Sequence, residues 1–513
     1  MTVRRCCLFL VCLALTVALP LAAQTLGSLN GAVTDASGAA VAGAQVRLSS
    51  PTGLVRRTTA NSQGFYQLAQ VPPGQYRLEI TAKGFAAFVA PAVRVQVSLP
   101  ITVNARLRVA AISTTETVQA NAAPLLNTTD ASLGNVLGQA QIAQLPIPDR
   151  NVVALLSLQP GVVYLGENMN TSATDTRSGA VNGVRSDQSN VTLDGINVND
   201  VNNGYAFFSV LNIPPDSVQE FRVTTADPNA NAGYSGGAQV ALVTKSGTNQ
   251  FHGSLYEYNR DTLFSANDTF LKASQLESGD PNKPPTLIRN IFGATFGGPL
   301  VRNRLFFFVN YEGRRDSQGL SEDSLVPTAG MRQGDVSYLM AAGSKSSSCP
   351  QVSQSAQGPV CTLGPQQLKA MDPLGIGPDA AALKVLQQYP LPNDDTIGDG
   401  LNVEGYRFSP TVRRTFNTYI SRLDWHITPN GSESLFWRGQ LDGDNQPGAP
   451  NFPGGPAATT ELDTSRGSIF GLTSVLSPTM VNNLRWGFIR QSVDNEGASN
   501  SPAVYLNGLT DLI

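Results

Sequence analysis

Residues 189–200, SNVTLDGINVND, gather oxygen donors in one short stretch: Asp194, Asp200 and three asparagines. Such a set suits a Ca²⁺ loop, a glycan acceptor, an acidic catalytic site or a strand–turn–strand unit. The EF-hand pattern fails, because Ile196 stands at the third loop position and Tyr205 at the twelfth, where ligands are required. Asn190, Val191 and Thr192 form an N-glycosylation tripeptide, a pattern common by chance. Acid–base chemistry would need a partner base or a metal. The chain has two histidines, His252 and His426, both in later strand-like runs, and no Ser–His–Asp order, HExxH or Walker loop is visible. What remains is a strand over 191–193, a tight turn at Asp194 and Gly195, and a strand over 196–198.

The whole chain supports that reading. Its 513 residues are enough for about three domains. A net charge of −3 with 14% charged residues gives no signal for a polyanion, so nucleic acid is not an expected partner. With 48 Gly, 33 Pro and 7% aromatics, turns must be frequent, as in a mainly β protein. Arg4 and Arg5 precede an apolar run over 6–19, and PLAAQ follows, which predicts a signal peptide over 1–23. A signal anchor is the alternative, disfavoured by a short run that ends at Pro20. Later in the chain stand Cys349 and Cys361, in a Gly/Ser/Pro-rich region. In an exported protein that proximity suggests one local disulfide, two free thiols being the alternative. No later apolar run is long enough for a transmembrane helix, which leaves a β-barrel open.

Between 24 and 108 the chain shows short runs of period two. Val46 and Leu48 alternate with Gln45 and Arg47, and Tyr76, Leu78 and Ile80 alternate with Gln75, Arg77 and Glu79. With turn signals between them, these runs predict an antiparallel β-sandwich. The stretch GAVTDASGAAVAGAQVRL and the later TTANSQGFYQLAQVPPGQYRLEITAKGF resemble the carboxypeptidase regulatory-like domain, a transthyretin-like sandwich, with Gly64, Phe65, Pro73, Gly74 and Tyr76 at its motif positions. The segment holds neither His nor Cys, so a zinc site of the usual kind is not expected there.

Residues 109–135 are rich in Thr, Ala and Asn and read as a connector. Within them ETVQA (Glu116, Thr117, Val118, Gln119, Ala120) is similar to the TonB box of TonB-dependent receptors, which pairs as an added strand with its energy-transducing partner. A terminal strand of the sandwich, or plain linker, is the other reading. From 136 to 249, Ile142, Leu145 and Pro146 precede DRNVVALLSL, where Asp149 is placed to cap a short helix. Gly183 and Arg185, Asp194 and Gly195, IPPDSVQEFRV and YSGGAQVALVTKSG follow in the order and spacing of a TonB plug domain, an α+β unit. Where such plugs usually continue with RGP, this chain has TTADPNA over 224–230, a departure that resembles the large Oar-like receptors.

From 250 to 513 the alternating runs lengthen. Leu305, Phe307, Val309 and Tyr311 oppose Phe306, Phe308, Asn310 and Glu312; Tyr419, Leu423 and Trp425 oppose Ile420, Arg422, Asp424 and His426. A soluble sandwich also alternates, but the connections here run long, short, long, short, as in a membrane barrel with short inner turns and long outer loops. Strands are expected near 251–260, 289–298, 304–314, 415–427, 434–443, 466–476 and 481–493, with Cys349 and Cys361 in the longest outer loop. Seven strands do not close around a plug, which takes about 22, so an incomplete, truncated barrel is expected.

The resemblance implies a non-enzymatic receptor in the bacterial outer membrane, with the sandwich and plug on the periplasmic side and no cofactor. Its implied partners are the TonB–ExbB–ExbD complex, outer-membrane lipid and an external solute, whether glycan, peptide or metal chelate. An adhesion or secretion-related surface protein is the alternative.

Overall fold

A computed structural model of the chain describes residues 26–97, 99–109, 116–117, 132–145, 147, 150–164, 179–185, 188–200, 208–228, 236–267, 269–277, 281–341, 349, 351–355, 357–477, 480–497 and 509–510. The predicted signal peptide over 1–23, Val118, Gln119, Ala120, Pro146 and Asp149 lie outside the described residues.

Alternation in the first segment builds a two-layer sandwich. One sheet runs Val55–Thr59, Gln45–Ser49, Gly74–Thr81, Phe88–Val95; the other places Gly27–Thr34 between Phe65–Val71 and Pro100–Thr102. Leu29, Val46, Leu48, Leu78 and Ile80 are fully or almost fully buried between them. Gly64 has φ +77°, and a Cβ there would meet the Val33 carbonyl at 2.6 Å, so the turn demands glycine. The neighbouring Phe65 is exposed and contributes nothing to the core. Tyr76 is buried, and its hydroxyl donates to the Pro72 carbonyl at 2.8 Å.

The segment read as connector contributes structure at both ends. Glu116 and Thr117 add a short parallel strand to the sandwich edge at Phe88 and Val89. Leu133–Gly138 already belongs to the next domain, paired with Val218–Ala226. That second domain holds a five-stranded sheet, ordered Leu133–Gly138, Val218–Ala226, Gln239–Thr244, Asn190–Leu193, Ile196–Asn197. Its core includes Leu193, Phe221, Val223, Val240 and Leu242, joined by Leu155 and Leu156 of a 3₁₀ helix over Val152–Leu158. The cap of that helix is Asn151, whose side chain accepts from the Val153 amide at 3.1 Å, and not the Asp149 that the sequence offers for this role.

Seven long antiparallel strands form a wall in chain order: His252–Asp261, Leu287–Val301, Leu305–Gly319, Thr411–His426, Glu433–Asp442, Arg466–Ser477 and Met480–Arg490. The second to fourth extend beyond their expected ends because their pairing continues into the long loop, through Leu287↔Gln318 and Gly319↔Thr411. Among the described residues, the first and seventh strands are paired in the wall on one side only. Phe306, Phe308, Asn310, Glu312, Ile420 and Arg438 are buried on the inner face. Tyr419, Leu423, Trp425, Leu441, Phe470, Trp486 and Phe488 stand exposed on the outer one, as a lipid-facing surface requires.

The sandwich sits at the short-turn end of the wall. The Val55 amide donates to the Asn430 carbonyl at 3.0 Å, Arg56 Nη1 to the Gly431 carbonyl at 2.7 Å, and Asn249 Nδ2 to the Pro51 carbonyl at 2.9 Å. At the other end, the long connection between the third and fourth strands carries two small sheets and the Cys349–Cys361 disulfide. Among the described residues no helix is long and apolar enough to cross a membrane, which says nothing of crossing by strands.

Candidate functional site

Asp194 and Gly195 make the predicted two-residue hairpin turn. Both have positive φ, +49° and +90°, and Leu193 pairs directly with Ile196. This combination is a tight turn that Asp–Gly satisfies with little strain. The sequence did not reveal what the turn does with the Asp194 side chain, which is only 2% exposed. Its Oδ1 accepts from the Thr244 amide at 3.0 Å and its Oδ2 from the Thr244 hydroxyl at 2.6 Å. From the wall, Arg422 Nη1 donates to Asp194 Oδ1 at 3.0 Å, and Arg438 Nε lies 3.5 Å from Oδ2.

The reason for this arrangement lies in the wall. Arg422 and Arg438 are direct cross-strand partners on the inner face. Like charges in that relation repel. Asp194 bridges them from the second domain, and Asp424 grips Arg422 through two oxygens, with contacts of 2.9 Å to each. Ser246 Oγ, at the end of the second domain, donates to Asp424 Oδ2 at 2.7 Å. Removing two arginines from water costs several kcal/mol each unless carboxylates and hydrogen bonds replace the hydration. The bridge supplies both only when the hairpin is seated. Beside it, Asn212 donates its amide to Asp442 at 3.2 Å and its side chain to Thr418 at 2.8 Å.

A second contact lies at Arg150. Its Nε donates to wall residue Glu312 at 2.9 Å, it pairs with Asp216 of its own domain, and it stacks over Tyr256 and Tyr258 at 5.0 and 4.6 Å. Burial alone would lower its basicity, but Glu312 and Asp216 outweigh it and hold the guanidinium more firmly protonated than free arginine.

The third contact joins sandwich to plug-like sheet. The Val97 amide donates to Glu220 at 2.7 Å, and Arg222 donates to the Val97 carbonyl at 2.8 Å, so two side chains grip the backbone of one turn residue as a neighbouring strand would. Burial pushes the Glu220 carboxyl up to about 7, against the pull of the Val97 amide, Arg94 and Arg222.

The other residues singled out from sequence are dispersed. Gly183, with φ +77°, makes the turn of a separate three-stranded sheet in which Arg185 is exposed. Glu116 and Thr117 lie on the sandwich edge. Cys349 and Cys361 form a disulfide in the long loop. The residues that sequence reading missed, Arg438, Gln440, Asp442, Thr244 and Asn212, carried one signal. Arg438, Gln440 and Asp442 repeat at period two on the face opposite Trp437 and Leu441, a charged row where a lumen partner is required.

Comparison with known proteins follows this division. An outer membrane beta barrel domain matches residues 243–511, a carboxypeptidase regulatory-like domain 28–108 and a TonB-dependent receptor plug domain 128–239. The TonB-dependent transporter Oar of Myxococcus xanthus is 26% identical over 266 residues, covering 49% of this chain and 23% of Oar. The chain thus matches under a quarter of that relative's length. Among solved structures, the outer membrane transporter YddB of Escherichia coli aligns with 70% of this chain and 39% of its own, at 11% identity and TM-score 0.41. The ferric-catecholate import receptor Fiu of E. coli aligns with 70% and 49%, at 11% identity and TM-score 0.32. The chain belongs to the outer-membrane β-barrel family and, with its regulatory-like sandwich and plug, is an Oar-like TonB-dependent receptor of the outer membrane.

Proposed function

We propose that the receptor takes up a bulky solute across the outer membrane, with energy delivered by the TonB–ExbB–ExbD complex. Solute binds among the long outer loops and the plug surface, and a pull from the periplasm shifts the plug. The observation that carries this reading is the Asp194 bridge. It ties the plug to the wall through a few buried polar contacts, which hold firmly at rest and lose their worth once water enters. No covalent step is involved. The sandwich and plug lie on the periplasmic side, where the segment Glu116, Thr117, Val118, Gln119 and Ala120 is the candidate TonB box, and TonB takes it up by strand addition in exchange for the pairing of Glu116 and Thr117 with Phe88 and Val89.

The test is capture of the detergent-solubilised chain on an immobilised TonB periplasmic domain. The intact chain is retained, and a chain lacking residues 116–120 is not. Equal retention of both refutes the assigned box. Retention of neither favours an adhesion protein that moves no solute.

A further inference from the structure

The outer face of the wall carries a depression whose shape follows from strand register. One cross-strand row reads Phe296, Val309, Ser421, Gly439, Ser468, Phe488. Its ends are bulky and its three central members, on the fourth to sixth strands, are small. The result is a pit of about 660 Å³. Trp437 forms part of the pit wall, its indole N–H donating to Ser468 Oγ at 2.9 Å. Ser421, Gly439 and Ser468 are only partly covered, and among the described residues no side chain fills the pit.

Two residues further along the strands, toward the long loops, Arg466 and Arg490 are direct cross-strand partners. Both are exposed on the outer face. They repeat the relation of Arg422 and Arg438 on the inner face, with one difference. The inner pair is bridged by Asp194; the outer pair has no carboxylate within ion-pair distance among the described residues. Like charges directly opposite on a sheet repel, and an anion between them relieves the repulsion. The spacing is that of an amphiphile: the cationic pair lies about 7 Å along the strands from the Ser468–Phe488 row, at a rise of about 3.4 Å per residue, and Arg466 forms that rim of the pit. An aqueous anion has no use for the pit, and a neutral lipid has none for the arginines.

We infer that this face is a binding site for one anionic, phosphorylated membrane lipid, with its phosphate between Arg466 and Arg490 and an acyl chain in the pit over Ser421, Gly439 and Ser468. The inference is independent of solute uptake, since it concerns only the lipid-facing surface.

Trp437 reports on the pit. The chain has three tryptophans, so W425F/W486F leaves it as the sole tryptophan, excited at wavelengths where tyrosine does not absorb. In mixed micelles, phosphatidylglycerol brominated on its acyl chains should quench it in preference to brominated phosphatidylcholine, by about fivefold per arginine in apparent affinity. R466Q/R490Q should abolish the preference and leave the residual quenching of the neutral lipid. S421L, which fills the pit without touching the arginines, should reduce quenching by both lipids. Equal quenching by the two lipids in the parent chain overturns the proposal, as does a preference that survives R466Q/R490Q. Reversal of the preference by inorganic phosphate, at ionic strength matched with chloride, also overturns it, because the site would then hold free phosphate.

Discussion

Asp194, in the turn of a plug hairpin, places its carboxylate 3.0 Å from Arg422 of the barrel wall, 228 residues away in the chain. The same carboxylate faces Arg438, so one buried acid stands between the buried Arg438 and the half-buried Arg422. Seating the plug and neutralising the wall are therefore one event. Neither arginine has an equivalent partner on its own strand, apart from the grip of Asp424 on Arg422.

D194N retains the turn and removes the charge. It should cost about 3–5 kcal/mol, because it leaves two cross-strand arginines, one of them fully buried, short of one counter-charge. Chemical denaturation of the detergent-solubilised chain measures this. A cost below about 1 kcal/mol would mean that water already neutralises the arginines.

Glu220 makes the grip of plug on sandwich depend on pH. Its folded pKa, about 7, is raised above the ordinary carboxyl value of 4.5, so the docked state holds a proton that the separated state releases. Docking is then strongest below pH 4.5 and weakens as pH rises through about 7. Hydrogen exchange at Val97, corrected for the intrinsic pH dependence, should show more opening at pH 8 than at pH 5, and E220Q should flatten the difference. An unchanged slope in E220Q would assign the effect elsewhere.

Arg150 and Glu312 are predicted to be coupled. A double-mutant cycle with R150Q and E312Q should give about 2 kcal/mol of interaction energy. Strict additivity would show that Asp216 alone accounts for the site.

The disulfide should act locally. Cys349 and Cys361 are separated by 12 residues, and closing a loop of that size is worth about 3 kcal/mol in the chain-entropy model. C349S/C361S should become readily cleaved between Gln351 and Leu363 while the wall resists protease as before. Loss of wall resistance would contradict a local role.

Much of this architecture is legible in the sequence because its causes are local. Period-two alternation marks the wall strands, and Asp194–Gly195 announces its turn. The site was not legible for the opposite reason. Arg422 and Arg438 read only as polar members of alternating runs, and nothing within either strand shows that they face each other or that Asp194 divides them. That relation needs strand register and plug position together. The helix cap was misplaced for a smaller reason: Asp149 and Asn151 both suit the role, and only Asn151 immediately precedes the first helical residue, Val152.

The most direct measurement is the sidedness of the chain in intact cells. In a C349S/C361S background, whose other three cysteines (Cys6, Cys7 and Cys12) lie in the predicted signal peptide, one cysteine is added at Gln357, in the long loop, or at Ser37, in the sandwich; both positions are exposed. A membrane-impermeant maleimide should label Q357C in intact cells and S37C only after the outer membrane is permeabilised. Labelling of S37C in intact cells, with Q357C protected until permeabilisation, would contradict the account, because the plug, its Asp194 bridge and the segment proposed as the TonB box would then face the wrong side.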